Sequence, residues 1–297
     1  MTAKPRINPD GPAANTVAAL LQSAARALQG HSDSPRLDAE VLLGELLGLS
    51  RAGLIARGNE PCTRISERRY ARLVEQRRQG TPVAYLTGSR EFWSLNLRVT
   101  PAVLVPRPET ELLVELALQR LPPDRPASVL DLGTGSGAIA LAIAAERPGV
   151  KVTAVDISAT ALEVAMHNGR ELKLSHIDWR LGDWFKPVPG ARFDVVVANP
   201  PYVATADPAL EKLKAEPCIA LCGGPSGLEA LATIAAGAPA HLQDGGWLML
   251  EHGSDQAPGV ARLLERHGFA CISTHPDLSG HPRVTLGTIH LPTQETS

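Results

Sequence analysis

Val129-Leu130-Asp131-Leu132-Gly133-Thr134-Gly135-Ser136-Gly137 runs from an apolar stretch into an alanine-rich one that begins near Ala138. It reads as a buried strand, a glycine loop and the start of a helix. Glycine permits backbone angles that side chains forbid, and it lets a ligand approach the main chain and the helix N-terminus. With Ala138 as the third small residue the loop also fits a dinucleotide fingerprint, so at this point a nicotinamide enzyme stands beside other nucleoside-cofactor enzymes. Working outward, apolar strands alternate with helical stretches: 128–132 then 137–146, 151–155 then 159–172, followed by strands at 178–181 and 194–198. A helix over 227–242, a buried strand at 246–251 and a helix over 256–267 follow. This is the order of an α/β doubly wound sheet. The end offers strands at 270–275 and 283–290 with no helix between them, and so short a connection makes that pair antiparallel.

Ligands bind at the carboxyl edge of such a sheet, and the strand ends carry chemistry there. Asp156 closes the second strand, where a carboxylate can accept from both hydroxyls of a ribose. Asp183 and Trp184 follow the third, an acceptor for an adenine amino group beside a ring, Trp184 or Phe185, that covers the base. The fourth delivers Asn199-Pro200-Pro201-Tyr202. Two prolines fix φ, donate no hydrogen bonds and hold the preceding residue extended, so the loop is stiff and its carbonyls stay available as acceptors. A planar NH2 group fits this segment, one hydrogen on the Asn199 side-chain oxygen, the other on the Pro200 carbonyl, with Tyr202 packed against it. Acceptors off the amide plane favour a pyramidal nitrogen and aim its lone pair at an electrophile; position and oriented dipoles then supply much of the acceleration. An electrophilic sulfonium methyl is the partner this arrangement suits.

Upstream, the pattern over 14–88 is helical, with Val17, Leu20, Leu21, Ala24 and Leu28 spaced three or four apart and Leu37, Val41, Leu42 and Leu46 repeating it. Ser34-Pro35 is a cap followed by proline at the first helical position, and Gly48 lies at that helix's far end. Further helices are expected at 51–57 and 66–79, the arginine-rich face of the latter being solvated. Alternation through Phe92, Trp93, Leu95, Leu97, Val99 and Val103 reads as a hairpin. The expected organisation is therefore a helical domain over 1–88, a hairpin linker over 89–105 and an α/β domain over 106–297.

The chain of 297 residues, 44% hydrophobic, can fill one large or two unequal cores, and with 4% aromatics these are built from Ala, Val, Leu and Ile. A net charge of -2 gives no general attraction to phosphate backbones, and no stable nucleic-acid partner is expected. Cys62, Cys218, Cys222 and Cys271 have no metal-ligand spacing and read as free thiols; no metal is expected. Residues 1–12 hold no apolar signal-peptide core and no run is long enough to span a bilayer, which reads as a cytoplasmic, reducing location without membrane contact. The polar tail over 292–297 is expected to fray.

With these residues assembled, the sequence resembles a class I methyltransferase, and more narrowly the release factor glutamine methyltransferases of the HemK/PrmC type. The resemblance rests on 35–47 and 81–88, Arg90-Glu91-Phe92-Trp93, Pro106-Arg107-Pro108-Glu109-Thr110-Glu111, the loop at Asp131, Gly182-Asp183-Trp184-Phe185, Asn199-Pro200-Pro201-Tyr202, Glu216-Pro217, Glu251-His252-Gly253 and Arg283-Val284. It implies a mostly parallel seven-stranded sheet with a C-terminal antiparallel hairpin, preceded by a small helical bundle that docks the protein substrate. It also implies S-adenosylmethionine as cofactor and N5-methylation of the glutamine in the Gly-Gly-Gln motif of class 1 peptide chain release factors. Cofactor contacts are then expected from Gly133, Thr134, Gly135, Ser136, Gly137, Asp156, Asp183 and Trp184, with Asn199 touching both groups. The catalytic set is Asn199, Pro200 and Tyr202, Pro201 and Phe92 line the glutamine pocket, and the Arg107-Pro108-Glu109-Thr110 stretch borders it. Between Asp207 and Glu216-Pro217 the loop is shorter than the family pattern and lacks an arginine, which bears on partner contacts.

Three rivals stand beside this reading. An adenine N6 methyltransferase acting on nucleic acid could hold a flipped base with the same motif, but a recognition segment rich in basic and aromatic residues is lacking. A nicotinamide oxidoreductase leaves Asn199 to Tyr202 without a role, and a noncatalytic nucleoside-binding adaptor leaves the acceptor features unexplained.

Overall fold

A computed structural model of the chain describes residues 15–122 and 125–290, so the expectations for 1–12 and 292–297 lie outside the described residues. Two compact units divide at 87/88.

The first unit holds α1 (Val17–Ala27), α2 (Pro35–Leu47), α3 (Arg51–Ala56), α4 (Arg64–Arg78) and α5 (Val83–Thr87). Thr16, Ser50 and Thr63 cap α1, α3 and α4 by accepting the backbone N–H three residues on. Gly48 ends α2 in the left-handed region at φ 65°, where a Cβ is disfavoured. Pro35 opens α2 as expected, but Ser34 does not cap it: its hydroxyl donates to Asp38 at 3.1 Å. Asp38, buried, also accepts from Ser32 and, at 2.6 Å, from Arg77 of α4, so one arginine of that basic helix serves the fold. Leu21, Leu28, Leu42, Leu43 and Leu54 fill the core between them.

The second unit begins with β1 (Ser89–Phe92) and β2 (Leu95–Arg98), an antiparallel hairpin. The linker expectation for 89–105 is corrected here. Phe92 and Leu97 are fully buried in the same core as the main sheet, so the hairpin is part of the unit it precedes. The chain continues through α6 (Glu111–Arg120), β3 (Ser128–Leu132), α7 (Ala138–Glu146), β4 (Lys151–Asp156), α8 (Ala159–Glu171), β5 (Asp178–Leu181), β6 (Phe193–Ala198) and α9 (Ala209–Lys212). It ends with α10 (Glu229–Gly237), β7 (Leu242–Glu251), α11 (Ala257–Arg266), β8 (Ala270–Pro276) and β9 (Pro282–Thr288). The helix expected through 242 stops at Gly237 and gives way to a 3₁₀ turn, because Pro239 has no N–H to continue the ladder. The strand expected from Gly246 begins at Leu242, with a register shift against β6 between Phe193 and Val195.

The seven strands are ordered β5-β4-β3-β6-β7-β9-β8, parallel except for β9, which runs antiparallel to both β7 and β8. Side chains alternate between two cores. Val129, Val195, Val197 and Met249 meet Leu113, Val114, Leu116 and Ala117 of α6 and the apolar residues of α7, whereas Leu130, Leu132, Val196, Leu248 and Leu250 meet Leu231, Ile234 and Ala235 of α10 and Val260 and Leu264 of α11. Burial on both faces is why these strands are nearly continuous apolar runs. This is the class I methyltransferase fold, a doubly wound mostly parallel sheet with an antiparallel C-terminal pair, whose parallel carboxyl ends share one edge. Among the described residues, no helix is long and apolar enough to cross a membrane.

Candidate active site

The edge is organised by the loop after β3. Gly133, Gly135 and Gly137 have φ of 74°, 57° and 84°. At Gly135 an added Cβ would meet nothing within 4 Å, so the backbone lies open on that side; at Gly137 it would stand 3.0–3.2 Å from Leu141, Trp179 and Ala165, so this glycine serves close packing and is not a cavity wall. The N–H groups of Gly133 and Thr134 both donate to the Val155 carbonyl at 2.9 and 3.0 Å, and that of Gly135 donates to Asp156 Oδ2 at 2.8 Å. Asp156 Oδ1 takes the Ser158 N–H at 2.8 Å. Burial raises the Asp156 carboxyl above its ordinary value, against hydrogen bonds from Ser158, Gly135 and Ile157. The carboxylate keeps acceptor capacity beyond these bonds for a ligand hydroxyl.

Asp131, inside β3, was not among the expected site residues. It is wholly buried beneath the loop, Oδ2 accepting from the Thr134 hydroxyl at 2.6 Å and Oδ1 having no partner. Burial pushes it up to about 7, opposed by the bonds from Thr134 and Ala140 and reinforced by Asp156. A carboxyl that holds its proton more tightly folded than unfolded contributes stability that is complete below the ordinary 3.8 and is lost as pH rises through the folded value of about 7. Asp131→Asn is therefore expected to flatten the fall in stability between about pH 4 and pH 7, read as urea midpoints across that range. Parallel curves for the two proteins would dismiss this account of Asp131.

Beyond β5, the Gly182 N–H donates to the Asp156 carbonyl at 2.9 Å, carrying the chain into Asp183 and Trp184. Trp184 adopts φ 48°, a costly left-handed conformation for a non-glycine residue. Its ring lies 3.7 Å from the point where a Cβ on Gly133 would stand, so it faces the loop from the end of β5, across β4. Asp183 pairs with Lys186 at 2.7 Å.

After β6, Asn199 Nδ2 donates to the Thr110 hydroxyl oxygen at 3.2 Å, which leaves its Oδ1 as an acceptor. The rest of the segment is anchored from behind. Gln256 Nε2 donates to the Tyr202 carbonyl at 2.9 Å, and the Val203 N–H donates to the Leu221 carbonyl while the Val203 carbonyl accepts from the Gly223 N–H, which ties the segment to 221–223. A Cβ on Gly223 would stand 2.6 Å from the Pro201 oxygen, so the approach there requires glycine. Among the described residues, none donates to the Pro200 carbonyl.

A cavity of about 350 Å³ joins these parts. Of the expected site residues it is lined by Gly133, Thr134, Gly135, Ser136, Asp156, Asp183, Trp184, Asn199 and Pro201. Gly137, Pro200, Tyr202 and Phe92 do not line it; Phe92 is 1% exposed and belongs to the core, while Tyr202 is partly buried against the core on the α10 and α11 side of the sheet. Arg107 and Thr110, from the stretch expected to border the pocket, line it as well, and two further walls went unassigned in the sequence, one of Ala102, Val103, Leu104 and Pro106, the other of Cys218, Ile219, Ala220 and Cys222. Glu216 clips them together, accepting the Val105 N–H at 3.0 Å on Oε2 and an Arg107 guanidinium bond on Oε1. The free-thiol expectation is corrected in the second wall. Cys218 and Cys222 form a disulfide, because the 3₁₀ turn between them brings their Cα atoms to 5.5 Å. Cys62 and Cys271 are free.

Residues 19–88 match the PrmC N-terminal domain family and residues 109–215 the Methyltransferase small domain family. A protein named release factor glutamine methyltransferase from Xylella fastidiosa is 50% identical over 254 residues, which is 85% of this chain and 92% of that protein. A protein of the same name from Salmonella typhimurium is 45% identical over 258 residues, 86% of this chain and 93% of its own. The crystal structure of a methyltransferase from Pyrococcus furiosus superposes with a TM-score of 0.52 at 20% identity, covering 66% of this chain and 90% of that one, a likeness of fold alone.

Proposed function

The chain belongs to the release factor glutamine methyltransferases, and from that premise we propose that it moves a methyl group from S-adenosylmethionine to the N5 side-chain nitrogen of the glutamine in the Gly-Gly-Gln motif of class 1 peptide chain release factors. The observation that carries the reading is that one cavity is bordered both by the glycine loop with Asp156 and Trp184 and by Asn199, whose donor end is already committed to Thr110. The residues fit the cofactor: Gly135 is open where a side chain would intrude, Asp156 offers lone pairs for ribose hydroxyls, and Asp183 and Trp184 suit an adenine amino group and ring. When bound, S-adenosylmethionine supplies an electrophilic methyl on a sulfonium.

The chain's own part is to make an amide nitrogen nucleophilic. Asn199 Oδ1 and the Pro200 carbonyl accept the two N–H bonds, hold the NH2 in place and draw its lone pair out of conjugation with the carbonyl. No strong base is needed beforehand, because the nitrogen sheds a proton readily once it carries positive charge. Tyr202, Pro201 and Phe92 shape the pocket, in direct contact or as its packed backing. The helical unit over 1–88 docks the release factor, and a translation factor as substrate implies work in the cytoplasm.

With tritiated methyl donor, purified release factor is expected to take up label and to lose that label when its Gly-Gly-Gln glutamine is replaced. Label on DNA or RNA instead, as an adenine N6 methyltransferase would give, overturns the substrate assignment.

A further inference from the structure

Glu251 ends β7, and in the pairing of β7 with β6 its neighbour Leu250 stands opposite Ala198, the residue before Asn199. Its side chain is 1% exposed, does not line the cavity, and takes hydrogen bonds from the hydroxyls of Thr110 and Tyr202, while its Oε2 has no partner. We propose that Glu251 is a positioning residue for methyl transfer, fixing through Thr110 which end of the Asn199 amide faces the acceptor. The inference rests on the acceptor role given above to Asn199.

An Asn side chain presents an oxygen and an NH2 of nearly the same shape, and only the oxygen end can accept from a substrate amide. A threonine hydroxyl does not choose between them, since it donates or accepts equally well. An ionised carboxylate accepts only. With Glu251 behind it, the Thr110 hydroxyl is spent as a donor, its oxygen is left to accept, Asn199 supplies Nδ2 at 3.2 Å, and Oδ1 is turned to the cavity. Tyr202, the last residue of the acceptor motif, is referred to the same carboxylate. Burial and the neighbouring Glu251 push its hydroxyl up to about 12, so it remains a donor at working pH. Both ends of the acceptor segment thus take their orientation from one buried acid. Its own carboxyl is pushed up to about 7 by burial, with the Thr110 and Tyr202 hydroxyls and Arg283 opposing and Glu109 reinforcing, and its ionised form is the acceptor-only one.

The test is a double-mutant cycle at pH 8 on the full-length protein with intact release factor, using Glu251→Gln, Thr110→Val and both together. Each single variant is expected to lower kcat by about 10–100-fold, with the KM for release factor and the calorimetric Kd for S-adenosylmethionine within about threefold of wild type. The double variant is expected to be no worse than about threefold below the poorer single, because the two residues act as one relay. Losses that multiply, or a Glu251→Gln protein with unchanged kcat, would overturn the proposal. If Glu251→Gln does not fold, Thr110→Val decides by itself: turnover within threefold of wild type removes the relay. Wild-type protein failing to label the release factor is a separate outcome that rejects the substrate reading and not the relay.

Discussion

Asn199→Ala is expected to reduce turnover on release factor by about 10²–10³-fold, the cost of removing one preorganised polar group at a reacting centre. Its Kd for S-adenosylmethionine is expected to stay within a few-fold of wild type. The asymmetry follows from where the contacts lie. Apart from Asn199 itself, the expected cofactor partners that line the cavity, Gly133 to Ser136, Asp156, Asp183 and Trp184, are carried by β3, β4 and β5, and the hydrogen bonds that hold Gly135 and Asp156 do not involve the Asn199 side chain. Alanine removes both the outward Oδ1 and the inward Nδ2, so the Thr110 hydroxyl loses a donor as well. The Pro200 carbonyl alone then holds the acceptor by one N–H, and the nitrogen returns to a planar, conjugated geometry for most of its bound time. Single-turnover rates with release factor in excess, alongside calorimetry with cofactor, read the two effects separately. A variant that loses cofactor binding in proportion to turnover would move Asn199 out of the acceptor role.

The parts of this site that were legible in the sequence are the parts written in short stretches. The strands at Ser128–Leu132 and Asp178–Leu181 were bounded to the residue, the first because a parallel strand covered on both faces is an apolar run that begins and ends abruptly, the second, a largely exposed edge strand, without that signal. The cofactor edge followed, since each of its residues directly succeeds such a strand. α6 was not read at all, although Leu113, Leu116 and Ala117 have helical spacing. It lies between the Arg-Pro-Glu-Thr segment and β3. Contacts across long separations were beyond reach. Thr110 and Asn199 are 89 residues apart and Val105 and Glu216 are 111 apart, and no local pattern couples them. The same limit hid Glu251, which looks like an ordinary strand-end acid until Thr110 and Tyr202 are seen to share it. The hairpin was visible as alternation, but only three-dimensional packing shows Phe92 and Leu97 inside the main core. Cys218 and Cys222 read as free thiols because nothing in their spacing announces the 3₁₀ turn that brings them together.

Asp156→Ala is expected to produce the opposite kinetic pattern, weakening S-adenosylmethionine by about 100-fold or more. Two hydrogen bonds from ribose hydroxyls to a carboxylate contribute about 1.5–3 kcal/mol each, and partial compensation by water brings the sum to at least two decades in Kd. A second loss adds to this. The carboxylate holds the Gly135 N–H at 2.8 Å on one oxygen and the Ser158 N–H at 2.8 Å on the other, so it ties the glycine loop to the start of α8. Without it the loop that borders the cofactor must be ordered by the cofactor itself, and binding weakens by that ordering cost. Asp156→Asn separates the contributions. Its single oxygen can keep one of the two backbone N–H bonds while its NH2 repels the other, so an intermediate affinity is expected. At saturating cofactor the alanine variant should recover most of its turnover, since Asn199 and its support from Thr110 are untouched. Thermal stabilisation by S-adenosylmethionine is an independent reading of the same free energy and should largely vanish in Asp156→Ala. An alanine variant that keeps cofactor Kd within threefold, or one whose turnover stays low at saturation, would show that Asp156 is not the ribose acceptor. Asn199 and Asp156 lie on the same cavity, and opposite assignments of kcat and cofactor affinity to them are what a site built from two separately supported halves requires.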